Sequence, residues 1–166
     1  MGIATDAIHA GQRPDPMSGA IMTPIYQTST YVQEELGRHK GYEYARTHNP
    51  TREAWEKCVA ALEKAEHGIA FSSGLAAIMT LAQCLERGAH VVSSNDMYGG
   101  TYRLFERVFR PAGIEFTYVD SSSLDEVRAA FRPSTKLLYV ETPSNPLMKI
   151  SDLAGLAEIA RARGAW

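Results

Sequence analysis

The chain has 166 residues, 45% of them hydrophobic and 22% charged, and a formal net charge of −2, which is an ordinary globular composition with room for one real core. With no basic run it offers nothing to nucleic acid or an anionic membrane surface, and no apolar run approaches the roughly 20 residues of a membrane span. Its two cysteines, Cys58 and Cys84, are too few for a disulfide scaffold and are expected to be buried free thiols inside helices. The five histidines (9, 39, 48, 67 and 90) show no metal-ligand spacing. Residues 1–12 lack the basic-then-apolar order of a secretory signal, so a cytoplasmic location is expected.

Residues 1–48 are predicted to be an N-terminal arm. Prolines 14, 16 and 24 and glycines 2, 11, 19, 37 and 41 break any helical period. Ile21, Ile25, Tyr26, Tyr31 and Val32 are too apolar for a solvated tail, so the arm should dock on a surface, most simply another copy of this chain. Residues 49–166 read as the first part of a larger domain. Asn49 is a suitable N-cap and Pro50 a suitable first helical residue. Trp55, Cys58, Val59 and Leu62 then recur at i, i+3, i+4 and i+7 as one apolar stripe, with Gly68 as the stop. A short strand over 69–72 leads through Ser72-Ser73-Gly74 into a helix over 74–86, apolar nearly all round and therefore predicted to be buried.

The alternation continues. Strands are predicted at 91–93, 115–119 and 136–141. Helices are predicted at 100–110, at 124–131 (capped by Ser122 or Ser123) and at 152–163 (capped by Ser151). Strands alternating with helices imply βαβ units: an α/β fold with a mostly parallel sheet, helices on both faces and ligands at the C-terminal ends of the strands. The pattern stops at Ala165-Trp166, where another strand is due, so the sequence reads as truncated.

Four clusters near those strand ends could carry chemistry. Ser73-Gly74-Leu75 opens a helix, where free N–H groups and the dipole suit a phosphate, although a small residue after a strand also serves plain packing. Tyr44-Ala45-Arg46 offers a directional donor and a bidentate phosphate binder, or a solvated Arg beside a surface Tyr. Asp96-Met97-Tyr98-Gly99-Gly100-Thr101 is a tight bend that could stack the Tyr98 ring on a planar ligand, or a hinge with a core tyrosine. In Glu141-Thr142-Pro143-Ser144-Asn145-Pro146 the prolines aim the Asn145 amide, or only make the loop rigid.

In their joint order, Tyr44-x-Arg46…Asn49-Pro50-Thr51, Ser73-Gly74-Leu75-Ala76-Ala77, Tyr98-Gly99-Gly100-Thr101 and Glu141-Thr142-Pro143-Ser144-Asn145-Pro146 closely resemble the Cys/Met-metabolism family of pyridoxal phosphate enzymes, along the whole chain. The resemblance implies a fold-type I PLP-dependent transferase-like domain. Ser73, Gly74 and Leu75 would seat the phosphate of pyridoxal 5′-phosphate; most members carry Met at the position of Leu75. Tyr98 would stack on the pyridine ring and act in proton handling. Asn145 would sit near the ring's 3-oxygen, with Glu141 beside it as a further cofactor-binding residue. Tyr44 and Arg46 would reach the phosphate of a neighbouring subunit, in a homo-oligomer built as a dimer of active-site-sharing dimers.

The implied function is trans-sulfuration: γ-replacement or γ-elimination on a small amino-acid substrate, a homoserine ester or cystathionine. Cystathionine γ-synthase comes first; cystathionine γ-lyase or an O-acetyl- or O-succinylhomoserine sulfhydrylase is the alternative. The family's Schiff-base lysine, in Ser-x-Thr-Lys, and its ring-nitrogen aspartate, in Val-Asp-Asn-Thr, match no position here. The chain alone is therefore expected to be inactive. A different class of reading is a non-catalytic fragment or pseudoenzyme that lends Tyr44 and Arg46 to a complete subunit.

Overall fold

His90–Ser94 (β3) is the most deeply buried run of the chain, and the second half of the fold is built around it. The computed structural model describes residues 2–166, which form two units, one ending at Phe71 and the other Ser72–Trp166. In the second unit β3 lies between Glu115–Val119 (β4) and Thr135–Tyr139 (β5), parallel to both, in the order β4-β3-β5. Successive residues of a strand point to opposite faces. Val91 and Val92 are each 0% exposed, Val91 in a cluster with Ala82, Phe105, Phe109 and Phe116, and Val92 in another with Val127, Phe131, Leu156 and Ile159. The first cluster is closed by Gly74–Gln83 (α3) and by Gly99–Leu104 (α4), which runs on as a π-helical turn, Phe105–Phe109. The second is closed by Leu124–Ala130 (α5) and Leu153–Ala162 (α6). This is the predicted α/β class, a parallel sheet with helices on both faces. At the outer edge of β5 the Trp166 N–H donates to the Lys136 carbonyl (2.9 Å) and its carbonyl accepts from the Leu138 N–H (2.8 Å).

Several local expectations are corrected. Residues 69–72 form no strand: no segment pairs with them among the described residues, and the Ala70 N–H is taken instead by the Glu56 carboxylate (2.9 Å). A strand exists only where its backbone finds a partner. Helix α3 is not buried all round. Its Ile78 and Ala82, with Leu85 just past its end, meet the core while Met79 and Leu81 are exposed, and Cys84, expected inside, is its exposed C-cap. The predicted helix over 100–110 widens after Leu104, where the Arg110 N–H bonds the Phe105 carbonyl (2.8 Å); Phe105 and Phe109 are buried, whereas Tyr102 and Val108 are exposed. Helix α6 is capped by Asp152, whose Oδ1 accepts from Ala154 N–H and Gly155 N–H at 3.1 Å each, because Ser151 is buried in a hydroxyl pair with Ser121 (2.8 Å). Helix α5 is capped by Ser123.

The first unit is less regular, yet it holds a helix that the sequence did not suggest, Ile3–His9 (α1), and a small hairpin of Gln33–Glu35 (β1) with Arg38–His39 (β2). Helix α1 lies against Pro50–Leu62 (α2). At the junction Gly11, with φ +69°, passes so close to the Lys57 carbonyl that a Cβ would stand 2.3 Å from its oxygen. Asn49 caps α2 as predicted, its Oδ1 accepting from Thr51 N–H (2.9 Å) and Arg52 N–H (3.4 Å). The stop comes earlier than Gly68. Lys64 turns to φ +54°, Ala65 N–H bonds the Ala60 carbonyl (2.8 Å) and Lys64 N–H that of Ala61 (3.3 Å), a Schellman closure made without glycine. Of the predicted stripe Trp55-Cys58-Val59-Leu62, only Cys58 is buried.

Candidate functional site

A helix start leaves its first N–H groups without intrahelical partners, and α3 keeps two of them free. Ser73 is its N-cap, with Oγ accepting from Ala76 N–H at 3.1 Å. Among the described residues the N–H groups of Gly74 and Leu75 meet no acceptor, and beside Gly74 a Cβ would meet nothing within 4 Å. Two backbone donors, an exposed hydroxyl and the positive end of a three-turn helix share one open corner. That is the donor set of a phosphate or carboxylate seat.

Helix α3 packs on α4, whose first turn carries the second predicted group. Tyr98 is the N-cap of α4 and 50% exposed, and its ring lies back over Gly100, where a Cβ would stand 2.2 Å from Cε1. The Tyr98 N–H donates to Glu141 Oε2 (2.8 Å), and the Thr101 hydroxyl to Glu141 Oε1 (3.1 Å). Glu141, just past β5, therefore closes the open end of α4, and the Tyr139 hydroxyl also donates to its Oε1 (2.8 Å). Burial, reinforced by this carboxylate, pushes the Tyr139 phenol well above its ordinary pKa.

The loop after β5 holds Asn145, exposed, between two cis X–Pro bonds, Thr142–Pro143 and Asn145–Pro146. Among the described residues its side-chain amide has no partner and remains available. The loop is tied from within, Ser144 N–H to the Lys149 carbonyl (3.0 Å) and Lys149 N–H to Ser144 Oγ (2.8 Å). It is also tied to the Tyr98 loop through buried Asp96, which accepts from the Ser144 hydroxyl and from Leu147 N–H (3.0 Å).

Tyr44 and Arg46 belong to the first unit, in a turn of their own. The Arg46 guanidinium lies 4.6 Å from the Tyr44 ring centroid and, among the described residues, pairs with no carboxylate. Arg52 fastens this turn. Its guanidinium donates to the carbonyls of Ala45 (3.0 Å), Arg46 (3.4 Å) and Thr47 (2.7 Å) and lies 3.4 Å from Glu56.

The second unit thus links Tyr98, Glu141 and the Asn145 loop through hydrogen bonds, with the Ser73-Gly74-Leu75 helix start on the neighbouring helix. Sequence reasoning missed the parts that do the linking. Asp96, Thr101 and Ser144 stood inside the quoted motifs without a role, and Arg52 stood just after the Asn49 cap. The only signal for them was that polar residues were packed into loops expected to be rigid.

The sequence model of a family described as Cys/Met metabolism PLP-dependent enzyme matches residues 4–166. A probable cystathionine γ-synthase from Herpetosiphon aurantiacus is 52% identical over 165 residues, 99% of this chain and 52% of that protein. A cystathionine β-lyase from Coxiella burnetii is 56% identical over 162 residues, 97% of this chain and 42% of its own length. The solved structure of cystathionine γ-lyase from Lactobacillus plantarum complexed with L-serine superposes with a TM-score of 0.92 at 45% identity, covering 99% of this chain and 43% of the other. The chain spans about half or less of the length of the proteins it matches.

Proposed function

The chain belongs to the Cys/Met metabolism PLP-dependent enzyme family, whose cofactor is pyridoxal 5′-phosphate, and from that premise we propose that it builds the phosphate seat and ring-facing loops of a cytoplasmic trans-sulfuration enzyme. The observation that carries this is the donor set at the start of α3, the free N–H groups of Gly74 and Leu75 beside the Ser73 hydroxyl and open space. It fits a dianionic phosphate in chemistry and in room.

When bound, the cofactor supplies an electron sink for the charge left on a substrate carbon that has lost a proton. The protein's part is to hold, orient and shield. Gly74 and Leu75 would donate backbone N–H groups to the phosphate, with Ser73 beside them. Tyr98 would cover the ring, exclude water there, and act as the catalytic residue by handling a proton on its phenol near the substrate amine. The Asn145 amide, without a partner among the described residues, would serve the ring's 3-oxygen. Glu141 acts as a cofactor-site residue through Tyr98, since both its oxygens are already engaged. Tyr44 and the Arg46 guanidinium would serve the phosphate of a neighbouring subunit, which requires at least a dimer, and the assembly we propose is a homotetramer of two such active-site-sharing dimers.

The reaction is γ-replacement or γ-elimination on a homoserine ester or cystathionine, as a transferase of the cystathionine γ-synthase kind first, with γ-lyase or homoserine-ester sulfhydrylase activity as the alternative. The names of the relatives support the trans-sulfuration class more than any one member. We assign the nucleophile's role to none of the five lysines here (40, 57, 64, 136 and 149), since none stands in the family's Ser-x-Thr-Lys motif. Lys57 and Lys149 are moreover paired with Glu53 (2.5 Å) and Asp120 (2.6 Å), and residues 1–166 by themselves are expected to be inactive.

Gly74→Asp tests the seat. A carboxylate in the first turn favours the helix and repels a phosphate, so the whole protein should melt unchanged while its affinity for pyridoxal phosphate, measured by equilibrium dialysis, falls at least about tenfold. Unchanged affinity would remove α3 as the phosphate seat.

A further inference from the structure

Asp96 and Glu141 sit on two different loops, and each grips the other's. Asp96, 8% exposed and two residues before Tyr98, reaches over to the loop after β5 and accepts from the Ser144 hydroxyl and the Leu147 N–H (3.0 Å). Those two donors bracket Asn145. Glu141, four residues before Asn145, reaches back and accepts from the Tyr98 N–H (2.8 Å) and the Thr101 hydroxyl (3.1 Å). Those two bracket Gly99 and Gly100. The loop after β5 is further tied on its own side: Ser144 Oγ also accepts Lys149 N–H (2.8 Å), and Glu141 Oε1 also accepts the Tyr139 hydroxyl (2.8 Å).

We propose that Asp96 and Glu141 form a reciprocal clasp, two positioning residues that fix the Tyr98 ring and the Asn145 amide relative to one another. Neither group is spare. Asp96 is buried, so losing its donors would leave an uncompensated desolvation cost, and half-buried Glu141 holds its partner loop with two donors at once. The clasp grips Tyr98 by its backbone N–H, while its ring is half exposed. Glu141 accordingly acts behind the cofactor site as its fastening, with Oε2 on the Tyr98 N–H and Oε1 on the two hydroxyls. Because both carboxylates close the same pair of loops, releasing either one should loosen both.

The consequence for cofactor binding rests on the functional reading above; the clasp itself does not. The experiment uses the whole protein with Asp96→Ala, Asp96→Asn, Ser144→Ala, Glu141→Ala, Glu141→Gln and the double alanine variant. Amide hydrogen exchange is read at Tyr98, Leu147 and Lys149, and pyridoxal phosphate binding by dialysis and by visible circular dichroism. Asp96→Ala should speed exchange at Leu147 and Lys149 and, across the clasp, at Tyr98; Glu141→Ala should do the converse. Asp96→Asn and Glu141→Gln, which retain an acceptor oxygen, should restore most of the protection. Each alanine variant should weaken cofactor binding about tenfold and flatten its dichroism, and the double variant should be little worse than either, as for residues acting as one unit. Exchange confined to the mutated side, or additive losses of affinity, would overturn the clasp. If the parent protein fails to take up pyridoxal phosphate the functional reading falls, while cross-loop exchange still decides the clasp. Ser144→Ala, which removes one Asp96 donor and the acceptor of the Lys149 N–H, carries the exchange test where an alanine carboxylate variant does not fold, with faster exchange expected at Tyr98 as well as at Lys149.

Discussion

The ring of Tyr98 rests on Gly100, two residues along the same helix start, so closely that a Cβ at Gly100 would stand 2.2 Å from Tyr98 Cε1. The contact is made by the far end of a half-exposed side chain, so the ring, not the backbone, must yield to any added atom. Gly100→Ala is expected to leave the melting temperature nearly unchanged while swinging the Tyr98 ring, weakening pyridoxal phosphate binding severalfold, an effect of about 1 kcal/mol. Dialysis together with a thermal melt checks it; a large loss of stability with intact binding would contradict the ring-yielding account.

Arg52 holds three successive carbonyls of the turn that presents Tyr44 and Arg46. A lysine carries the charge but cannot reproduce the planar fork. Arg52→Lys should therefore cost about 1–2 kcal/mol of stability and make the 44–47 turn more susceptible to limited proteolysis. Arg46→Lys, at a side chain with no carboxylate partner among the described residues, should cost almost no stability and show its effect only in cofactor affinity.

His90 is completely buried in the middle of the sheet, its Nδ1 2.7 Å from Thr135 Oγ1 and its Nε2 2.9 Å from Thr117 Oγ1. Burial, aided by the nearby Arg132 charge and opposed by Glu115, lowers its pKa below 6.5. The folded state thus prefers the neutral ring, while the unfolded chain takes up a proton near pH 6.5. This contribution is fully present above pH 6.5 and is lost as pH falls below it, with a slope of at most about 1.4 kcal/mol per pH unit from one proton. Denaturant titrations between pH 7.5 and 5 should show the slope, and His90→Gln should flatten it; an equal slope in both proteins would assign it to other groups.

Asp120 and Lys149 pair at 2.6 Å with about a third of each side chain exposed. Hydrogen bonds from Lys149 and then Ser122 pull the Asp120 carboxyl down to about 2 from 3.8. Stability from this group is present above pH 3.8 and lost as pH falls through about 2. Solvent screening keeps it below about 1 kcal/mol. Lys149→Met should therefore lower stability slightly at pH 6 and move the acid-unfolding midpoint up, read by circular dichroism. No change in the midpoint would mean that the pair contributes nothing.

Much of the fold was legible in order. Strand β4 falls on its predicted residues, Asn49 caps α2 and Ser123 caps α5, because caps and apolar runs act over a few residues of chain. The misses share one cause. Residues 69–72 have strand composition and no strand partner; α3 has apolar residues all round and neighbours on one side; Ser151 could cap α6 but is drawn into a buried pair with Ser121. Pairing and burial depend on residues distant in the chain, which periodicity does not see.

The amino-acid sequence by itself determined the α/β alternation, the starts of α2, α3 and α5, and the family, since each lies in local patterning or in motifs whose order along the chain is itself informative. Only the tertiary structure decided how the opening motifs are fastened. That Asp96 reaches Ser144 and Leu147 while Glu141 reaches Tyr98 and Thr101 follows from parallel strands β3 and β5 ending side by side, which brings together carboxylates and donors some 40 to 50 residues apart.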